Sequence, residues 1–164
     1  DGQIDVPASL GAVRDVSAGI YPSCALQTAG GAVCWGDSSD PVDTTVPDGL
    51  GEIHQLAVGL EHVCAIDDAD SVACWGYDTY GQATVPANLG PVTQVTTQVD
   101  HTCAIDAASQ LRCWGRNDGG QTNVPPALGP VVFASAGRFS TCAVNAAEHM
   151  SCWGSAPRDP HALN

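Results

Sequence analysis

Gly59-Leu-Glu-His62-Val-Cys64-Ala-Ile-Asp-Asp-Ala-Asp-Ser-Val-Ala-Cys74-Trp75-Gly76 is the stretch on which the fold turns. From its first cysteine onward the pattern occurs four times without gaps. The other copies are Cys24-Ala-Leu-Gln-Thr-Ala-Gly-Gly-Ala-Val-Cys34-Trp-Gly, Cys103-Ala-Ile-Asp-Ala-Ala-Ser-Gln-Leu-Arg-Cys113-Trp-Gly and Cys142-Ala-Val-Asn-Ala-Ala-Glu-His-Met-Ser-Cys152-Trp-Gly. The first cysteines lie 40, 39 and 39 residues apart, and all eight cysteines and four tryptophans fall in this frame. A second landmark keeps phase with the first: Val-Pro at 6–7, 46–47, 85–86 and 124–125, each followed by a turn that ends in Leu-Gly. A short β-like run follows each Leu-Gly, for example Glu52-Ile-His-Gln-Leu-Ala-Val58. A fixed period of about 39 residues marks a repeat architecture.

Each unit reads as a strand, a Cys strand, a tight turn, a Cys-Trp strand, a polar loop and an extended Val-Pro segment. Three or four short strands per unit suit a propeller blade and not a helical repeat. The expected fold is all-β: one repeat domain over 1–164, with an N-terminal closing segment 1–11. The units run approximately 12–50, 51–89, 90–128 and 129–164.

Between its cysteines each unit reads as a hairpin. In the second unit Cys64 opposes Cys74, Ile66 opposes Val72 and Asp67 opposes Ser71, which leaves the turn on Asp68-Ala69-Asp70. Residues directly opposed at a non-hydrogen-bonded pair approach to about 4.5 Å at Cα, within reach of a disulfide. The expected bridges are therefore Cys24–Cys34, Cys64–Cys74, Cys103–Cys113 and Cys142–Cys152, four equivalent staples out of many formal pairings. Structural zinc is the competing reading of these cysteines. It draws on short Cys-x(2–4)-Cys knuckles, whereas nine residues separate each pair here.

Composition narrows the function classes. Hydrophobic residues make up 44% of the chain but aromatics only 5%, and Gly (18) and Pro (11) supply turns for short strands. Five Lys+Arg stand against 18 Asp+Glu, for a net charge of −13. That balance excludes a duplex nucleic-acid binder, which needs a cationic surface to displace phosphate counterions. No run approaches the length of a membrane span. The chain opens on Asp1 and not Met, as a mature exported product or a fragment without its leader would. Paired cysteines place it in an oxidising space, secreted or at the cell surface.

No catalytic constellation emerges, and a non-enzyme without cofactor or metal is expected. His62 and His101 share one repeat position that Pro22 and Ser140 fill elsewhere, so a structural hydrogen bond explains them better than catalysis. His54, His149 and His161 fall at unrelated phases. Asp67, Asp68 and Asp70 read as solvated turn acids; calcium is the alternative, although their spacing is not that of an EF-hand loop. The four tryptophans read as packing groups before ligand-stacking ones.

The landmarks Gly-x-x-His-x-Cys-Ala, Cys-Trp-Gly and Gly81-Gln82 together resemble the regulator-of-chromosome-condensation repeat, in the cysteine-paired version of exported bacterial proteins. Departures are Gln98 for the motif Gly in the third unit, and Val42-Asp43 in place of Gly-Gln after the first Cys-Trp-Gly. The resemblance implies a β-propeller of four-stranded blades that presents loops to another macromolecule. It leaves the partner open, whether a protein or a glycan.

The segments after each Cys-Trp-Gly differ most between units. They make Tyr77, Asp78, Tyr80, Arg116, Asn117, Asp118 and Arg158 the interaction candidates. An alternative is a structural subunit that assembles with copies of itself. The last unit lacks Gly-Gln-x-x-Val-Pro, and the chain begins with Gly2-Gln3-Ile4-Asp5-Val6-Pro7. Gly2, Gln3, Ile4, Val6 and Pro7 are thus expected to complete the blade holding Cys142 and Cys152, in cis or in a neighbouring copy.

Overall fold

A computed structural model describes residues 2–36 and 44–155. Among these residues twelve strands form four separate antiparallel sheets of three, each in sequence order. The first sheet holds β1 (Val13–Ala18), β2 (Pro22–Gln27) and β3 (Ala32–Gly36). The second holds β4 (Ile53–Val58), β5 (His62–Asp67) and β6 (Val72–Gly76). The third holds β7 (Val92–Gln98), β8 (His101–Asp106) and β9 (Leu111–Gly115), and the fourth β10 (Val131–Ala136), β11 (Ser140–Asn145) and β12 (Met150–Gly154).

The hairpin register is the expected one. Cys64 opposes Cys74 and Ile66 opposes Val72, with equivalent partners in the other units. All four disulfides close across directly opposed residues, at Cα separations of 4.0, 4.1, 4.0 and 4.0 Å. The turn is built by its first residue. Asp67 Oδ1 accepts from the amides of Ala69 and Ser71, and Asp106 and Asn145 do the same in their units. The turn acids thus include a carboxylate already engaged by its own backbone.

Each blade packs one face on its successor. Cys24 and Leu26 join Ile53, Leu56, Val63, Ala65 and Trp75 in one apolar cluster. Cys64 and Ile66 join Val92, Val95, Ala104 and Trp114 in the next, and Cys103 and Ile105 join Val131, Ala134 and Ala143 in the third. Polar ties repeat at the same junctions. The Ile53, Val92 and Val131 amides donate to the turn carbonyls of Gly30, Asp70 and Ser109 of the preceding blade. Gln55 and Gln94 each bond both ways with the inner strand of the following blade, at Val95 and Ala134.

Two expectations need correction. The Val-Pro segments add no fourth strand. Val124 N–H already bonds the Thr122 carbonyl, and Pro125 has no N–H, so neither can donate to a ladder. The N-terminal segment does not complete the blade of Cys142 and Cys152 either; Gln3 sits on the first blade. Its carbonyl accepts from Trp35 Nε1 at 2.9 Å and Ser23 Oγ at 3.0 Å, and its side chain donates to Ile20. Gln82 and Gln121 hold the same post, 32 residues before Trp114 and Trp153. The Gly-Gln linker therefore belongs to the blade that follows it. Within the chain, Gln3 is thus engaged by its own first blade.

Candidate functional site

The loops after Cys74-Trp-Gly and Cys113-Trp-Gly emerge at one end of the sheets, beside the loops that join inner and middle strands. Register dictates this neighbourhood, because His62 opposes Gly76 and His101 opposes Gly115. The Gly of Cys-Trp-Gly is needed there. Gly115 has φ +98 and a Cβ on it would stand 2.6 Å from the Asp100 carbonyl. The chain then turns out over the neighbouring loop, with Tyr77 N–H bonded to Glu61 O and Arg116 N–H to Asp100 O, both at 2.8 Å.

Arg116 is the centre of this surface. Its Nε donates to Asp118 at 2.7 Å and its Nη1 to Asp100 at 3.0 Å. Its guanidinium lies 4.8 Å from the Tyr80 ring centroid and 5.9 Å from that of Phe139, and Arg138 covers Phe139 at 5.0 Å. The bond to Asp118, then that to Asp100, raise its affinity for the proton, so the charge is permanent. Arg116, Asp118, Gly119, Phe139 and Ser155 line a shallow pocket of about 160 Å³. Glu61 stands nearby, its carboxyl pushed up by burial and then by the Asp100 charge.

The expected interaction residues divide by task. Tyr80, Arg116 and Asp118 meet at this patch, while Tyr77 anchors the base of its loop. Asp78 and Asn117 shape the loops. Asp78 accepts from the Ala83 and Thr84 amides and the Thr84 hydroxyl; Asn117 bonds Thr122 and Asn123. Arg158 lies outside the described residues, as do Val42 and Asp43. Asp100, Arg138 and Phe139 escape sequence reasoning. The signal was present: Tyr21, Glu61, Asp100 and Phe139 all fill the position before the motif His, each with a different residue.

Beneath the patch runs a buried chain of polar bonds. Thr102 Oγ1 donates to the Gln82 carbonyl at 2.9 Å, which also receives Trp114 Nε1 at 3.0 Å. With its proton committed, Thr102 accepts from His62 Nε2 at 3.0 Å. His101, Thr141, Gln121 and Trp153 repeat the arrangement. The histidines thus tie one blade to the next. Their Nδ1 atoms are buried and unpartnered. Burial lowers both pKa values to about 4, so the rings are neutral. The hydroxyl that each ring meets has its own proton committed to a linker carbonyl, and among the described residues neither ring has a carboxylate at hydrogen-bond distance, so the arrangement suits joining blades, not proton transfer.

Residues 53–82 match the regulator of chromosome condensation (RCC1) repeat. Among curated proteins the chain has no match. Solved structures share its fold. The ectodomain of the receptor kinase CR4 from Physcomitrella patens superposes with a TM-score of 0.73 at 28% identity, over 87% of this chain and 39% of that one. The CRINKLY WD40 ectodomain of the receptor kinase ACR4 from Arabidopsis thaliana gives 0.72 at 28%, over 87% and 50%. Yeast RCC1 (Prp20), in its complex with Kap60, gives 0.75 at 16%, over 91% and 45%. The chain spans half or less of the length of each.

Proposed function

From an array of cysteine-paired RCC1-type blades we infer a non-catalytic, exported scaffold that binds a protein through the loops after Cys-Trp-Gly. The observation that carries this reading is the pre-organised patch at Tyr80, Arg116 and Phe139. Arginine and tyrosine are the side chains that most often anchor protein interfaces, and an anchor already fixed by Asp100 and Asp118 loses little freedom on binding. The exported setting rests on four disulfides and on the likeness to two receptor-kinase ectodomains. A protein is favoured over a glycan because the pocket is small and its surround is an arginine and a tyrosine, the usual anchors of protein interfaces. The net charge of −13 favours a basic partner.

Affinity capture from the extracellular fraction of the source cells, with wild type beside the variant Tyr80→Ala/Arg116→Ala, tests the reading. A protein held by wild type and released by the variant, at unchanged melting temperature, is expected. Identical capture profiles would overturn it.

A further inference from the structure

The residue after Cys-Trp-Gly meets the residue before the motif His in the same way in the second and third blades. Tyr77 N–H bonds to Glu61 O and Arg116 N–H to Asp100 O, both at 2.8 Å. A Cβ on Gly76 would stand 2.5 Å from Glu61 O, and one on Gly115 2.6 Å from Asp100 O. On this common backbone the third blade adds an ion pair, Arg116 Nη1 to Asp100 at 3.0 Å. The second blade keeps the acid and lacks the base. Glu61 is half-buried, and Tyr77 stands where the third blade has Arg116. Among the described residues no ion pair or hydrogen bond reaches the Glu61 carboxylate. The bases are spent elsewhere. The chain's 5 cationic residues are all arginines. Arg14 pairs with Glu52, Arg112 with Asp106 and Arg116 with Asp100 and Asp118, while Arg138 lies on the Phe139 ring. Arg158 lies outside the described residues. In the other two units Tyr21 and Phe139 fill the acid's position and need no cation.

Resting on the loop-face reading above, we infer that Glu61 receives an arginine side chain of the protein partner, set against it as Arg116 is set against Asp100. Burial and then the Asp100 charge raise the Glu61 carboxyl above its ordinary value, and both penalise its charged form in the free protein. An incoming cation removes that penalty at the interface, so the position discriminates for a basic group. A guanidinium suits the face because its planar fork pairs with a carboxylate while its flat side stacks on a ring, as Arg116 does on Tyr80. Arg116 does not repel this second guanidinium, since Asp100 and Asp118 already outweigh its charge. A metal ion is the poorer occupant. Asp100 is committed to Arg116, and among the described residues no group of three or more His, Cys, Asp or Glu could hold one. The position belongs to an interior blade, packed by neighbours on both sides.

Titration of the full chain with the probe acetyl-Gly-Arg-Gly amide, followed by nuclear magnetic resonance of the side-chain carboxyl carbons, tests this. Glu61 should shift saturably at probe concentrations that leave the exposed Asp68 unmoved, and acetyl-Gly-Glu-Gly amide should shift neither. Glu61→Gln, read from the amide resonances of the same loop, should weaken probe binding about fivefold, the scale of one partly exposed ion pair. Tyr77→Arg gives the second blade the third blade's own pair and should exclude the probe from Glu61. A Glu61 that responds no more than Asp68, or a Tyr77→Arg variant that takes the probe as wild type does, overturns the inference. The captured partner supplies a second arm, in which Glu61→Gln should again weaken binding about fivefold. A partner that Tyr80→Ala/Arg116→Ala releases but Glu61→Gln holds at wild-type affinity overturns the inference and leaves the loop-face reading standing. Affinity unchanged in both variants overturns the two together.

Discussion

His62 and His101 show how one side chain joins two blades. Each ring must give its Nε2 proton to a threonine whose own proton is committed to a linker carbonyl, so only the neutral tautomer with Nε2–H fits. Burial lowers the folded pKa to about 4, against an ordinary value of 6.5. Between these values the unfolded chain binds protons that the folded chain does not, so stability rises with pH. The contribution is fully present above pH 6.5 and lost as pH falls through 4, about 2–3 kcal/mol for each ring. Thermal melts between pH 7.5 and 4 should show this slope, and His62→Ala/His101→Ala should remove it while lowering the melting temperature at pH 7.5. A slope untouched by the double substitution would assign it to other groups.

At the level of strands and turns, the Cys-to-Cys hairpin carries an unusual share of the stability. Short strands with few large apolar side chains bury little surface, and each bridge closes a loop of about ten residues, contributing roughly 2–3 kcal/mol. Chemical denaturation of Cys64→Ser/Cys74→Ser should show a loss of about that size, and full reduction a larger one. A shift in melting temperature below a few degrees on full reduction would refute this. These hairpins were legible because register, bridge and turn all lie within thirteen consecutive residues. The linkers were not, because Gln3 is read by Trp35 across 32 residues, and no local pattern says whether Gly-Gln serves the blade before or after it. The site was half legible for the same reason. Tyr80 and Arg116 announce themselves by differing between units, whereas Asp100 and Phe139 join them only through the pairing of His101 with Gly115 and Ser140 with Gly154.

Across the whole molecule, the repeat separates what holds the blades together from what they present. Junctions consume the cysteine face, the Gln ties and the buried histidines. The loop ends carry Tyr80, Arg116, Asp118 and Phe139 on a frame whose backbone is fixed by glycine geometry and linker hydrogen bonds. The hairpin turns stand at the opposite end of the strands, where Asp68 provides an exposed control of the same protein. The decisive measurement is the Kd of the captured partner for wild type, Arg116→Ala and Asp68→Ala. Loss of a fixed interface anchor costs about 2 kcal/mol or more, some thirtyfold in affinity. Weakening of that order for Arg116→Ala, with Asp68→Ala matching wild type, is the expected result; equal affinity for all three would contradict binding through this face.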